Sequence, residues 1–591
     1  MKLKKILAVV LAMALLCMTF AACGDSSGSS SSSAASTGSE SSATSEAGES
    51  STADEGGSAA AGEVTLFTPK TVDASKNLNI RIGMEPTGLN SLLSTYANEF
   101  TILRHIYENL YVLDENNVPQ LGAAESVDIS DDETVYTFHL REDGVWTNGD
   151  PVTANDFAFA WQQALNPDVA SDYAYMLFFI KNAESYLNGE CEWEDVGIKV
   201  IDDLTLEVTL ERAVPYAPHM FTFGTLAPIN QSFYETVGAD NYNTEAEYFC
   251  TNGPFALTEW SHNSQIVLQK NDAFHGAGDI QVEQLTMKII TDGQAALTSL
   301  MSGELDYTDL TTGELVTQAE ANGYDVTSYS DGASFYMMVN CENQFLSNVN
   351  LRRALALGFD KQALIDTVFQ NENMPMTSFT APAVDGYDAT SFQEALNAKD
   401  GDLYPANGDV TQAQEYLNTA LEELGITLDE LNGQLSIDCG DSSSSQAEAA
   451  FYQEQWRQNL GLEVTINPMI TKQGADNRQN GNYCLSITGW SPDYNDPMTF
   501  LDMWVTDGGN NDTRWGSEEY DALIDSATNE TEDLAARQEY FYQAEEILAD
   551  QDIILPSYWR SASYTYNTNK ILGGLRNTTF QTNFTYVELA A

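Results

Sequence analysis

Apolar residues along this chain change period from two to about 3.6 and back many times. Leu78, Ile80 and Ile82 alternate with Asn79 and Arg81, which predicts a strand. Phe100, Leu103, Ile106, Tyr107 and Leu110 then fall at helical spacing. Tyr136, Phe138 and Leu140 alternate again, before Thr153-Ala154-Asn155-Asp156 caps a helix with Phe157, Ala160, Trp161, Ala164 and Leu165 on one face. After the Asp202-Asp203 turn signal, Leu204, Leu206, Val208 and Leu210 read as a half-buried hairpin strand. Leu285, Met287 and Ile289 predict another strand, with a short helix over Gln294–Met301. Helices are predicted over Asn350–Gly358, Asp360–Phe369, Thr411–Leu424, Ser445–Leu460 and Thr531–Ala549. Gly461 stands where a C-terminal helix cap belongs, and Leu462–Asn467 and Cys484–Thr488 read as strands following helices. Strand–helix–strand alternation of this kind implies an α/β fold with partly parallel, twisted sheets and clefts at their edges. At 591 residues the chain exceeds the ~250–300 that one core serves, so several domains are expected.

The N-terminus carries no such pattern. Lys2, Lys4 and Lys5 precede an apolar run from Ile6 to Phe20, and Ala21-Ala22 lead into Cys23. That order describes a secretory signal over 1–22. The small-small-Cys ending resembles a bacterial lipobox, with Phe20 where Leu is usual, and makes Cys23 the expected lipidation site. An ordinary cleaved signal or an uncleaved anchor competes with this reading. Two acyl chains suffice for stable attachment. To residue 62 the chain is Ser, Ala, Gly, Thr and Glu without an aromatic, a composition that buries too little apolar area to order itself and reads as a tether. Gly24-Asp25-Ser26-Ser27-Gly28 spells a hydrolase elbow, but it lacks the strand and helix that motif needs. Beyond the N-terminus no apolar run approaches the ~20 residues of a spanning helix.

Charge narrows the function. The 25 Lys+Arg stand against 88 Asp+Glu, a net −63, which excludes a phosphate-backbone partner and argues against lying flat on an anionic membrane. Nearly every Asp and Glu is expected on a solvated face. Cys191, Cys250, Cys341, Cys439 and Cys484 are isolated and odd in number, so a disulfide framework is not indicated and most are expected buried. The five histidines are scattered, with His139 facing outward on a strand, and no metal or phosphate motif is present. Neither an enzyme nor a cofactor is expected.

Six ordered segments carry a resemblance. They are Tyr107-Glu108-Asn109-Leu110; Tyr136 to Arg141; Val145 to Phe157; Thr251-Asn252-Gly253-Pro254-Phe255; Leu351-Arg352-Arg353-Ala354-Leu355; and Thr488-Gly489-Trp490-Ser491-Pro492-Asp493-Tyr494-Asn495-Asp496-Pro497. With them the chain resembles, from about 77 to 588, the family 5 solute-binding proteins of ABC importers, the oligopeptide-binding type in particular. The resemblance implies a two-lobed clamp of the periplasmic-binding-protein kind with an extra domain and a hinge. Lobe I would comprise 77–96, 232–332 and 560–591, the extra domain 97–231, and lobe II 333–559. It further implies a monomer on the outer face of a bacterial membrane, of Gram-positive type, held there by its lipid. Its partners would be short peptides and the permease subunits of an importer with cytoplasmic ATPases.

The resemblance also implies site residues. Asp493 would pair with a peptide's α-ammonium, and the physics agrees, since a buried ammonium costs several kcal/mol unless a carboxylate meets it. The competing reading is a turn-forming Asp. Gly489, whose missing side chain would let another backbone approach, would form a backbone ladder with Trp490 and Ser491, opposed by a strand at Thr95-Tyr96-Ala97. Tyr173 and Tyr336 match cleft tyrosines, each with a core position as the alternative. Arg478 would receive the peptide carboxylate, or else is a surface arginine; a second such arginine is Ile487 here, which leaves peptide length open. Asp309 stands where a cleft tyrosine is usual, so that pocket would favour a basic or smaller side chain. The same fold binding an oligosaccharide, nickel or haem, and a secreted hydrolase or adhesin, are the competing functions.

Overall fold

A computed structural model describes residues 67–591. The signal segment 1–22, Cys23 and the tether to 62 lie outside the described residues. Strand β1 (Asn77–Ile82) leads to helix α1 (Ala97–Ile106). Next come β2 (Ala124–Ile129), β3 (Val135–Leu140), helix α2 (Ala154–Ala164), β4 (Ile198–Asp202) and β5 (Thr205–Thr209). These strands form a separate antiparallel sheet in the order β2-β3-β5-β4. Its alternation buries Tyr136, Phe138 and Leu140 in the core that also encloses Phe157 and Trp161 of α2, with the Phe221 ring against Tyr136, Phe138 and Trp161. Asp156 fixes the start of α2, accepting from the Thr153 amide at 2.8 Å and from the Trp146 indole at 3.1 Å.

The main sheet has eleven strands. After β6 (Phe255–Ser261), β7 (Gln265–Lys270), β8 (Gln284–Ile289) and β9 (Tyr307–Leu310) comes a long strand, β10 (Val326–Val339). Then β11 (Ser436–Gly440), helix α3 (Ser443–Leu460), β12 (Thr465–Met469), helix α4 (Thr471–Gln479) and β13 (Leu485–Trp490) follow. Helix α5 (Leu534–Gln551) precedes a second long strand, β14 (Ile554–Tyr566). The spatial order is β12-β11-β13-β10-β14-β9-β1-β8-β7-β6, and the eleventh, the two-residue strand Met374–Pro375, pairs with β14 off this path. β1 is parallel to β8 and β9, and β11 is parallel to β12 and β13, while the rest are antiparallel. The expected mixed, partly parallel architecture is therefore present.

β10 and β14 run through both halves of this sheet, and their pairing loses register between Ser330 and Ser334. Gly332 occupies the break at φ +75°, a region that L side chains rarely adopt. A Cβ there would stand 2.8 Å from both Pro492 Cγ and Thr579 Cγ2. On one side of the break Met337, Val339, Leu351, Trp456 and Leu485 share a core with α3; on the other, Ile80, Leu285 and Met287 belong to a different one.

Most predicted elements shift by only one to three residues. The helix predicted over Asp360–Phe369 divides, Lys361–Leu364 being α-helical and Ile365–Phe369 a π-turn. The five cysteines of the described residues are free, but only Cys250 and Cys439 are buried, and Cys191, Cys341 and Cys484 are half-buried. The expectation of solvated carboxylates fails for Glu99, Glu448 and Glu545, which are buried with hydrogen-bond donors brought to them. Among the described residues no helix is long and apolar enough to cross a membrane.

Candidate ligand-binding cleft

Where the two halves of the sheet meet, a cavity of about 620 Å³ opens, within the range of small-ligand sites. One wall is the end of β13 and the loop after it, Gly489 to Tyr494. The facing wall is Thr95-Tyr96-Ala97, Phe100 and Arg104 of α1, with Tyr173 and Phe223. Asp331, Arg560 and the segment Thr578 to Asn583 close it.

Asp493 is held on its wall by its neighbours in the same motif. Its amide donates to Thr499 Oγ1 at 3.0 Å, and the Trp490 indole donates to the Thr499 carbonyl at 2.9 Å. Tyr494 stacks on Tyr216 at 4.7 Å, and Asp496 makes a bidentate pair with buried Arg537 at 2.6 and 2.9 Å. Asp496 is thus the anchoring acid, and Asp493 is left facing the cavity. The Asp493 carboxylate accepts long bonds from the Tyr173 and Tyr175 hydroxyls, both 3.4 Å. Among the described residues no cation lies within 4 Å of it. Burial pushes Asp493 up to about 7, against the two hydroxyls, which lower it. Nearby Asp502 is pushed to about 8 by burial and by the charges of Asp493 and Asp496. The carboxylate is half-buried and weakly compensated.

The strand edge also fits a ligand. β11 pairs with β13 only at Leu485 and Ser486. From Ile487 to Trp490, β13 has β10 on one side and, among the described residues, no strand on the other. At Gly489 the neighbouring strand comes close. A Cβ there would meet the Phe335 ring at 3.0 Å and the Ser334 carbonyl at 3.1 Å, so a side chain would crowd β10 and push the ring aside by a few tenths of an ångström.

Other expected positions are corrected. Thr95-Tyr96-Ala97 lines the cavity but is not a strand: it is the entry to α1, with Tyr96 as its N-cap. Buried Glu99 takes up both amides, Thr95 at 3.1 Å and Tyr96 at 3.3 Å, along with Thr87 N at 2.8 Å and Thr87 Oγ1 at 2.7 Å. Tyr336 is 2% exposed and packs edge-on to Phe379 and Trp504, in the core and not on the cavity wall. Asp309 is spent on Arg81, whose Nη1 is 2.5 Å away, so it opens no pocket for a basic group. Arg478, at the end of α4, turns toward Ser486 Oγ at 3.4 Å and does not line the cavity. Sequence reading missed Tyr175, Arg104 and the pair Arg560–Asp331, joined at 2.6 Å with the guanidinium over the Phe335 ring. Of these only Tyr175, two residues from Tyr173, had a local signal.

A hinged α/β sheet enclosing a polar-ended cavity defines a class, the solute-binding proteins. Within it the chain belongs to family 5: the model for "Bacterial extracellular solute-binding proteins, family 5 Middle" matches residues 118–512. It is 33% identical over 499 residues to the oligopeptide-binding protein OppA of Bacillus subtilis, covering 83% of this chain and 89% of that one. Two solved structures, each 30% identical, cover 88% of this chain. The substrate-binding domain of an oligopeptide ABC transporter from Bacillus anthracis has a TM-score of 0.79 with 100% of its chain covered. Listeria monocytogenes OppA bound to peptide has 0.77 with 99% covered.

Proposed function

We propose that this protein captures short peptides outside the cell and hands them to the permease subunits of an ABC importer with cytoplasmic ATPases. The observation that carries the reading is Asp493, a carboxylate facing the cavity with two tyrosine hydroxyls and, among the described residues, no cation within 4 Å. A peptide's α-ammonium supplies the missing charge. The free edge at Gly489, Trp490 and Ser491 can hold a peptide by main-chain bonds whatever its side chains. Thr95 and Tyr96 have their amides committed to Glu99, so that wall offers shape and carbonyl oxygen rather than donors. Tyr173 positions the carboxylate and limits the space around the amine.

In this reading 77–96, 232–332 and 560–591 make lobe I, 97–231 the extra domain and 333–559 lobe II, and the lobes close on ligand by population shift. Cys23 carries the lipid that holds a monomer on the outer face of the membrane, with 1–22 removed and the tether giving it reach.

The test is a cycle of two changes, Asp493→Asn in the protein and N-acetylation in the peptide. Either alone leaves a buried charge unpaired and is expected to cost about 2–5 kcal/mol, roughly 30-fold or more in Kd. The second adds little to the first, because both remove one interaction. Calorimetry on the four combinations measures it. Equal binding of free and acetylated peptide by the unmutated protein refutes the amine reading.

A further inference from the structure

Helix α2 has a second face that the cleft around Asp493 does not use. Phe157, Ala160, Trp161 and Ala164 pack into the core. Asn155, Ala158, Phe159 and Gln162, spaced i, i+3, i+4 and i+7, share another side of the helix. That stripe forms one wall of a second cavity, of about 590 Å³, again within the range of small-ligand sites. The other wall is β4, an edge strand of its sheet, with the turn before it at Trp193–Asp195. No residue lines both this cavity and the cleft.

Two half-buried aromatic rings stand in it. Trp193 meets Tyr186 edge-on at 5.3 Å, and Phe159 meets Tyr234 edge-on at 5.4 Å, so neighbouring rings hold both in place. Neutral polar groups lie beside them. Asn155 Nδ2 donates to Gln231 Oε1 at 2.6 Å and Gln231 Nε2 to Glu235 Oε1 at 2.7 Å, which leaves the Asn155 carbonyl oxygen open. Among the described residues the Gln162 amide and the Trp193 indole N–H have no hydrogen-bond partner. Charge favours no sign. Lys199 pairs with Glu207 at 3.4 Å, and what remains, Lys181, Glu194 and Asp195, is exposed and of both signs. A site for an anion or a cation concentrates one sign out of water. This one sets aromatic faces beside amides that both donate and accept. Sugar hydroxyls also donate and accept, and the C–H face of a sugar ring is apolar, so a saccharide matches both.

We propose that this cavity is a second binding site, for a neutral saccharide, with Trp193 as its stacking platform and Gln162 and Asn155 as its hydroxyl partners. The site is separate from the cleft and does not rest on the peptide reading. The opposing account is structural: Trp193 and Phe159 merely cover the open edge of β4, and the amides beside them meet water.

Tri-N-acetylchitotriose, maltotriose and cellotriose are each titrated into the intact protein, followed by saturation-transfer NMR on the sugar protons and by calorimetry. At least one is expected to bind. The N-acetylated probe binding best would assign an amino-sugar polymer as the source, and either of the others a free glucan; both results support the site. Trp193→Ala is expected to weaken that binding by roughly tenfold or more, as truncation of an aromatic anchor does. Gln162→Ala puts a better helix former at a half-buried position of α2, keeps the fold, and should weaken binding several-fold. A melting curve accompanies each variant. A purely structural Trp193 would lower the melting temperature and leave the sugar affinity intact, and that result overturns the proposal. Affinity unchanged in both variants places the sugar elsewhere, the cleft included, and overturns it too. So does the absence of any response to all three sugars. Spermidine or inorganic phosphate binding more tightly than every sugar, and losing that affinity in Trp193→Ala, would overturn the neutral class.

Discussion

Lowering the pH from 7.5 to 5 is expected to weaken binding of an amine-bearing ligand by roughly 75-fold. The ammonium needs Asp493 ionised, and in the empty protein that carboxylate titrates at about 7. The ionised fraction is then about 0.76 at pH 7.5 and about 0.01 at pH 5, and affinity follows that fraction when the complex holds only the ionised form. The sign follows from the direction of the shift. Burial raises the free carboxyl, the ligand's charge lowers it again, and binding therefore expels a proton, about 0.9 of one at pH 6. Tyr173 and Tyr175 are raised far above their ordinary range and stay protonated throughout. Asp496 is committed to Arg537. Asp502, pushed to about 8, is mostly protonated over this range and adds a smaller dependence of the same sign. Calorimetry at pH 6 in buffers of different ionisation enthalpy reads the proton directly, and a pH series reads the affinity. In Asp493→Asn the profile should flatten. Affinity that stays constant from pH 7.5 to 5, with no proton released, would refute the reasoning.

Two further outcomes follow from groups outside the cleft. Glu448 is 5% exposed and pushed up to about 7 by burial, so the stability its protonated form contributes is present below about 4.5 and lost as pH rises through 7. Glu448→Gln keeps an acceptor for Tyr452 and should stabilise the protein by about 3 kcal/mol at pH 8 and hardly at all at pH 4, read by urea unfolding at both pH values; an equal effect at both would show that the charge is not the cause. Gly332→Ala places a methyl against Pro492 and Thr579 at a positive φ, and should lower the melting temperature and weaken ligand binding together, with strain of about 1–2 kcal/mol; unchanged melting would mean that the break in β10 is slack.

The strands and helices were legible because each is a local pattern, and β1, β3, β8 and α2 lie almost where periodicity put them. Asp493 was legible through the motif around it. Its partner Tyr175 lies 318 residues away, and Arg560 lies 229 from Asp331, separations at which no local pattern speaks. Thr95-Tyr96-Ala97 was misread because extended residues before a helix resemble a short strand. Glu99, three residues after Tyr96, was the available signal, the far half of a capping arrangement. Tyr336 and Arg478 were misplaced for another reason: alternation assigns a face of a strand or helix, but which face meets the cavity depends on packing across the whole sheet. Asp309 needed Arg81, buried on β1, to explain it.

The chain's last residues hold its first ones. Phe584 donates to His105 Nε2 at 2.9 Å across 479 residues, Gln581 reaches the Asp114 carbonyl at 2.6 Å, and Lys570 pairs with Asp306 at 2.8 Å. β14 supplies the strand beside β9, which in turn flanks β1. Without those last residues α1 lacks its partner. Without them, and without β14, β9 has an open edge and the cavity loses the wall formed by Thr578 to Asn583. A chain lacking its C-terminal segment therefore has no finished binding half to fold into, and that half reaches its native state only once the segment is in place.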